Sequence, residues 1–297
     1  MELGVHLPLI DFGDEAPTLA RQIRVADAAR ECGFAAVAAN DHLLFARPWL
    51  DGPTALAAVL EHSGAMELAT TVALVSVRGP AVLAKALTAL DVLSGGRVVA
   101  GVGPGSSARD YAAAGVPFED RWPRFDEAVA VLRTLLRGAS PPRTLRFHSL
   151  PDEPLAPPPR RPGGIPIWIG SWGSPAGLRR VARLGDGWLA SGYNTTPEAF
   201  AAGRAALDST VPAALATMWT WITDDAREAD RVLREVLGPL LRRDPQVLRH
   251  QLCVGSPEHC AELLDRYARA GCARVHLWPV GDEARQIERA AALVAQS

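Results

Sequence analysis

Three groups of residues in this sequence have the types and spacing to do chemistry. The first is Asn40-Asp41-His42, which sets a carboxylate beside an imidazole just after a β-like run. Imidazole titrates near neutral pH and can donate or accept, so the pair suits proton transfer or the orientation of a bound ring. The same two residues also suit a plain turn, with Asp41 capping it and His42 packing against it. The second group is Gly101-Val102-Gly103-Pro104-Gly105-Ser106-Ser107. Glycines let a backbone approach a flat ring or a phosphate closely, and Ser106 and Ser107 add hydroxyl donors. The run is not the dinucleotide fingerprint, because Ser106 stands where the third glycine belongs, and a tight strand-to-helix turn would read the same way. The third group is a pair of Gly/Ser turns, Gly170-Ser171-Trp172-Gly173 and Ser191-Gly192-Tyr193, each placed ahead of a helix start. Helix N-termini bind anions readily, so two such turns side by side would cradle a phosphate, or else be two ordinary capped loops. His6 closes the first β-like run, and Trp49, Trp122, Trp172 and Trp278 stand at or after run ends, where Trp172 is the best placed to stack on a ligand. There is no His-x-His, no His-Glu-x-x-His and no acidic cluster at run ends, so no metal site is expected.

Such residues work together only if the ends of separate β-runs meet. Runs at 3–7, 35–39, 68–75, 97–102, 165–170, 187–190, 214–222 and 274–278 alternate with stretches of helical period at 18–32, 81–93, 124–137, 175–184, 225–237 and 257–270. That alternation predicts an α/β fold, a (β/α)8 TIM barrel, whose active site lies at the C-terminal strand ends. Ser174-Pro175, Thr196-Pro197 and Ser256-Pro257 each place a capping hydroxyl before a proline at the first helical position. Gly33, Gly138, Gly185 and Gly271 stand where left-handed residues would end helices. Gly238-Pro239 and Asp244-Pro245 split 233–248 into short helices before a strand-like run at 252–255. The irregular stretch is 139–164, where Pro141, Pro142, Pro151, Pro154, Pro157, Pro158, Pro159 and Pro162 forbid a helix or a central strand. This proline-rich insertion loop either folds over the barrel mouth as a lid or lies on the surface.

Composition narrows the partners. A chain of 297 residues suits one barrel domain, 1–297, since the fold takes ~250 residues. With 31 basic against 33 acidic residues and a net charge of -2, there is no field to attract nucleic acid or an anionic membrane, which leaves small molecules. No stretch approaches the ~20 apolar residues of a membrane span, and the start of the chain does not read as a signal peptide. Cys32, Cys253, Cys260 and Cys272 form no Cys-x-x-Cys pair and are too sparse for a disulfide scaffold, so a cytoplasmic location is expected.

Longer motifs carry a resemblance. Arg78-Gly79-Pro80-Ala81-Val82-Leu83-Ala84-Lys85, Leu90-Asp91-Val92-Leu93-Ser94-Gly95-Gly96-Arg97 and Gly101-Val102-Gly103 follow one another. After them come Gly115-Val116-Pro117-Phe118, Pro166-Ile167-Trp168-Ile169-Gly170, Gly185-Asp186-Gly187-Trp188 and Val254-Gly255-Ser256-Pro257-Glu258. In this order they resemble the luciferase-like monooxygenase family of flavin monooxygenases and deazaflavin-dependent oxidoreductases, over nearly the whole chain. The resemblance implies FMN or coenzyme F420 at the barrel mouth, with the ring against a bulge in the third strand near Ala73, Leu74 and Val75 that often carries a non-prolyl cis peptide. It implies phosphate contacts from Gly170, Ser171, Ser191 and Gly192; the residue types and run-end positions of His6, Gly103, Gly105, Ser106 and Trp172 add these to the expected cofactor site. His42, with Asp41, matches a family histidine facing the reactive carbon, and Ser106 stands where sugar-phosphate dehydrogenases of this branch carry a catalytic glutamate, which argues against that substrate. Asp91, Arg97 and Glu127 are expected as caps and ion pairs away from the ring. The compact length favours F420-dependent hydride transfer with a small organic substrate. The alternatives are an FMN-dependent monooxygenase using oxygen, supplied by a separate reductase, and a flavin-binding protein without turnover. Members of the family commonly form dimers through outer helices, so a homodimer is expected.

Overall fold

The computed structural model describes residues 1–13, 15–140, 144–150 and 152–295. Small and β-branched residues build strands β1 (Glu2–His6), β2 (Ala36–Ala39), β3 (Glu67–Thr70), β4 (Ala73–Leu74), β5 (Val98–Gly103), β6 (Ile167–Gly170), β7 (Gly187–Ser191), β8 (Ala213–Ile222), β9 (Cys253–Gly255) and β10 (Arg274–Pro279). They pair in parallel in the order β10-β1-β2-β3-β5-β6-β7-β8, and a β8–β10 ladder from Arg274↔Ala214 to Pro279↔Thr220 closes the ring. The result is a closed eight-stranded TIM barrel. The third stave is made of two pieces: β3 stops at Thr70, a cis peptide bond joins Thr71 to Val72, and β4 resumes pairing on β5 through Ala73↔Val102 and Leu74↔Gly103. From the sequence this stave is expected unbroken from 68 to 75, with the bulge near Ala73, Leu74 and Val75. The interruption lies earlier, and Val75 already begins the helix Val75–Arg78. β9 adds to the far half of β8 outside the ring.

Strand alternation sorts the apolar residues into two layers. Val5, Val37, Leu68, Val98, Ile167, Trp188 and Leu215 belong to the main core beneath the helices, whereas Ala38, Ala69, Val99, Leu189, Ala214 and Ala216 form small clusters inside the ring, bridged by Trp168. Large lumen rings need bare backbone opposite. A Cβ on Gly4 would sit 2.6 Å from His276, and one on Gly187 would sit 2.5 Å from Trp168.

The capping signals hold: Ser174, Thr196 and Ser256 accept from the N–H groups of Gly177, Ala199 and His259, ahead of Pro175, Pro197 and Pro257. Gly33, Gly138 and Gly271 have φ of 74°, 72° and 83°, but Gly185 does not, with φ of -106°. Its lack of a side chain serves packing, since a Cβ there would lie 2.8 Å from Ile169. The helical stretch 225–237 is an α-helix, Ala226–Arg231, running into a π-helical turn, Val232–Leu237. The helices Gly52–Ala58, Ala108–Ala113 and Glu283–Ala295 were not anticipated.

The described residues of the proline-rich segment lie along the outer ring and the N-terminal end of β3. Pro141, Pro142 and Pro151 lie outside the described residues. Of the rest, Arg161 bonds Glu67 at the first residue of β3, and the N–H groups of Arg160 and Arg161 donate to Asp91 near the end of the helix Pro80–Ser94. Lys85 donates to the Ala156 carbonyl, and Glu127 accepts from the Arg146 and Phe147 N–H groups beside His148. Its prolines forbid a helix, and charged partners on the outer ring and the N-terminal strand ends hold it there. Asp91 and Glu127 thus hold this segment, and Arg97, expected in a cap or an ion pair, instead donates to the carbonyls of Ser94 and Met66. Among the described residues, no helix is long and apolar enough to cross a membrane.

Candidate active site

Parallel closure puts the C-terminal ends of all eight staves on one face, and His6, His42, Gly103, Gly170 and Ser191 stand at or just after those ends. His42, the third residue after β2 ends, is oriented by a residue that the sequence does not point to. Its Nδ1 lies 2.7 Å from Oδ2 of Asp110, whose Oδ1 accepts from the N–H groups of Leu43 and Leu44 at 2.9 and 2.8 Å. Asp110 is 1% exposed. Burial alone would raise its carboxyl, but the hydrogen bonds from His42 and the two N–H groups outweigh that and hold it below the usual range. An ionised Asp110 requires Nδ1 to be the protonated nitrogen, so Nε2 of neutral His42 carries the lone pair. That Nε2 has no hydrogen-bond partner among the described residues. The ring is kept in place by Phe45 and Trp49, each 4.7 Å away between centroids.

Asp110 was hidden because Ser107-x-x-Asp110 reads as the start of a helix, which it also is: Ser107 caps Ala108–Ala113. Asp41, expected beside His42, faces the other way. Both of its oxygens bond Arg78 at 2.6 Å, and Oδ2 also accepts from the Leu74 N–H at 3.1 Å. Arg78 reaches Asp51 too, the cap of the helix Gly52–Ala58. The guanidinium and both carboxylates tie the turns after β2 and β4 together, so Asp41 braces the site.

His6 lies deeper. Its Nε2 is 2.7 Å from the Ala216 carbonyl, so this nitrogen carries the proton, and Thr71 Oγ1 is 3.1 Å away. Burial lowers its pKa to about 3, and neighbouring His276 is lowered to about 4, again chiefly by burial. His6 stacks on Trp278 at 4.2 Å, and Trp278 stacks on Trp219 at 4.3 Å. These rings come from adjoining staves β1, β10 and β8, and neither Trp219 nor its stacking was foreseen in the sequence. A two-residue alternation in 274–278 could have pointed His276 and Trp278 inward.

The opposite half, over β5, β6 and β7, is built from small residues. Ala73 and Val75 are buried in the main core and Leu74 packs under Tyr111, so these side chains turn away from the mouth. The side chain that faces Gly103 and Gly170 is Val72, to which added Cβ atoms would lie 2.7 and 3.0 Å away. Gly105 has φ of 78°, and the Tyr111 hydroxyl donates to Pro104 at 2.5 Å, which fixes the turn that presents exposed Ser106. Ser171 Oγ accepts from Gly173 at 3.2 Å, while the N–H groups of Trp172 and Ser174 have no partner among the described residues. Trp172 is 58% exposed, free to lie on a ligand. Ser191 accepts from Asn194 at 3.0 Å, and a Cβ on Gly192 would meet the Thr217 carbonyl at 2.5 Å. The adjoining ladders Val102↔Ile169 and Gly170↔Leu189 set these three turns side by side.

A family model described as luciferase-like monooxygenase matches residues 1–240. The F420-dependent glucose-6-phosphate dehydrogenase of Amycolatopsis mediterranei is 31% identical over 172 residues, covering 54% of this chain and 50% of that enzyme. The curated relatives matched first are covered over only 39% to 51% of their own length. An F420-dependent secondary alcohol dehydrogenase, solved with an F420-acetone adduct, superposes with a TM-score of 0.85 at 18% identity, over 99% of this chain and 98% of that one. The oxygenating constituent of 3,6-diketocamphane monooxygenase from the CAM plasmid of Pseudomonas putida, solved with FMN, gives a TM-score of 0.75 at 18% identity, over 100% and 98%. At these identities, the two structures speak for the shared fold.

Proposed function

Since the chain belongs to the luciferase-like monooxygenase family, we propose that it is an oxidoreductase that binds coenzyme F420 at the barrel mouth and transfers a hydride to or from a small organic substrate. The observation that carries this reading is the His42–Asp110 pair, a base with one nitrogen fixed and the other free at the strand ends.

The residues present fit such a cofactor. Gly103, Gly105 and Gly170 leave a flat floor beside Val72, and the loop Ser171–Ser174 has unpartnered N–H groups ahead of the helix Pro175–Leu184, where an anionic tail is favoured. Ser191 and Gly192 border that loop, and Trp172 stands exposed within it. When bound, the deazaflavin supplies the two-electron chemistry. The chain's own part is orientation and proton handling. His42 Nε2 takes the hydroxyl proton when an alcohol is oxidised and returns it in the reverse direction. Asp110 keeps the imidazole in the required tautomer, and Asp41 with Arg78 holds the turn that carries it. Ser106 stands exposed above the floor as a second hydroxyl donor.

The test is a fluorescence titration of the purified protein with F420 and, separately, FMN. Tight F420 binding with weak FMN binding, and loss of turnover in His42→Ala with binding retained, is the expected result. The reverse preference with oxygen uptake would replace this reading by an FMN-dependent monooxygenase. Tight binding without turnover of any alcohol or ketone would make the chain a flavin-type binding protein, and binding of neither would remove the cofactor assignment.

A further inference from the structure

Most arginines around the barrel mouth and its flanking helices are committed. Arg47 donates to the Asp11 and Phe12 carbonyls, and Arg78 is held by Asp41 and Asp51. Arg180 and Arg183 bond Asp126, Arg249 bonds Asp230, and Arg266 bonds Glu198. Arg243 is different. It and Arg242 are exposed, and among the described residues no carboxylate lies within ion-pair range of either. Neighbouring Asp244 is engaged in capping the helix Pro245–Gln251, where its Oδ1 accepts from the Gln246 N–H.

A short chain of neutral groups orients Arg243 toward the cofactor half of the mouth. Its guanidinium donates to Asn194 Oδ1 at 2.5 Å, and Asn194 Nδ2 donates to Ser191 Oγ at 3.0 Å. Ser191 ends β7 beside the Ser171–Ser174 loop, whose Ser171 N–H donates to the Leu189 carbonyl at 2.9 Å. A guanidinium bonded to an amide oxygen keeps its whole positive charge and most of its five N–H donors. This one therefore stands two hydrogen bonds outward from the Ser191 hydroxyl, oriented and not neutralised. The backbone supports the placement: Arg242 turns the chain with a left-handed φ of 52°, and the Arg243 N–H donates to the Gly238 carbonyl at 3.1 Å. Arg109 and Arg179 are exposed too, but among the described residues no hydrogen bond orients their guanidiniums.

We propose that Arg243, with Arg242 beside it, takes a carboxylate of the glutamate tail of coenzyme F420 and so selects that cofactor over FMN. The two cofactors part beyond the phosphate. FMN ends there in a monoester, within reach of the N–H groups of the Ser171–Ser174 loop. In F420 the phosphate is a diester that continues through a lactyl group into linked glutamates, each adding a carboxylate farther out. A planar guanidinium with open donors suits a carboxylate, which it can hold through two parallel hydrogen bonds. This rests on the cofactor reading and makes it more specific.

The test is a set of fluorescence titrations of the full chain with three deazaflavins: the analogue without phosphate or tail, F420 without glutamates, and F420 with a long glutamate tail. The long-tailed form should bind about three- to fivefold more tightly than the form without glutamates, the worth of an oriented ion pair at a surface. That gap should close as ionic strength rises toward about 1 M, where charges are screened beyond ~3 Å. Arg243→Gln should lose most of the gap while its affinity for the analogue without phosphate stays unchanged. Asn194→Ala, which releases the guanidinium, should lose part of it, and Arg179→Gln, which removes the same charge from the helix Pro175–Leu184, should keep it. Loss of affinity for both phosphorylated forms alike in Arg243→Gln would put the residue on the phosphate and overturn the proposal, as would an equal loss of the gap in Arg179→Gln. If all three deazaflavins bind and the tail makes no difference, the cofactor reading stands and this proposal falls. If none binds, both fall.

Discussion

His42 Nδ1 and Asp110 Oδ2 stand 2.7 Å apart although 68 positions separate them in the chain. The contact joins the turn after β2 to the helix that follows the glycine turn of β5, so the orientation of His42 Nε2 depends on a carboxylate from a different βα unit. Replacing Asp110 by Asn keeps the shape and an acceptor for Leu43 and Leu44, but sets an amide against Nδ1. The imidazole then favours a proton on Nε2 and loses its base. Turnover of Asp110→Asn should fall by about 10²-fold or more, with KM and cofactor affinity little changed. Steady-state kinetics with F420 check this, and activity within threefold of the parent would remove Asp110 from its positioning role.

Acid should destabilise the protein in two stages. His6 and His276 have folded pKa values of about 3 and about 4 against 6.5 unfolded, so below pH 6.5 the unfolded chain binds protons that the folded one refuses. Their contribution is fully present above pH 6.5 and is lost as pH falls toward those folded values, at up to about 1.4 kcal/mol per pH unit for each proton. Asp110, with its pKa below 3.8, adds a loss only at lower pH. Urea unfolding between pH 7.5 and 4.5 should show the slope, and His6→Asn should reduce it by about one proton.

The two carboxylates on Arg78 should differ in worth. Asp41 has a side chain 2% exposed, whereas that of Asp51 is 39% exposed. Asp41→Asn should cost about 3 kcal/mol, because it removes the buried carboxylate that is the main partner of the half-buried Arg78 guanidinium. Asp51→Asn should cost about 1 kcal/mol or less, since Asn also caps helices. Chemical denaturation of the two variants decides the order, and equal losses would contradict the bracing role of Asp41.

Two glycines should answer differently to alanine. At Gly101 a Cβ would overlap the Thr70 carbonyl oxygen where β5 passes β3, so Gly101→Ala should lose more than about 4 kcal/mol or fail to fold. Gly33, with φ of 74° and nothing within 4 Å of a Cβ, carries only a backbone penalty of about 1 kcal/mol. Melting temperatures of the pair read the contrast.

The barrel was legible in the sequence because its signals are local: alternation of short apolar runs with helical periods, and hydroxyl-proline starts such as Ser256-Pro257. The motif order told of the family for the same reason. What escaped were relationships that only closure creates. Asp110 looked like a helix start because it is one, and nothing in its neighbours announces that its carboxylate is spent on His42. Asp41 and His42 are adjacent in the chain, yet successive residues point apart, so adjacency misled. Val72 was overlooked for Ala73 and Leu74 because the break in the third stave could be placed only to within a few positions. Residues 139–164 could have been a lid or an insertion; the choice rested on Asp91 and Glu67, far away in sequence.

One small contact limits how the mouth of this barrel could be remodelled. Ile10 and Trp49 form an antiparallel bridge, flanked by hydrogen bonds from Leu50 to Leu9 at 3.0 Å and from Asp11 to Pro48 at 3.3 Å. The loops after the first two staves are thereby spliced into a single unit, so neither can be lengthened, shortened or grafted from a relative on its own without unzipping the other. Remodelling by evolution or by an engineer would have to exchange the two loops together, and the turns over β5, β6 and β7 could stay untouched while it did so.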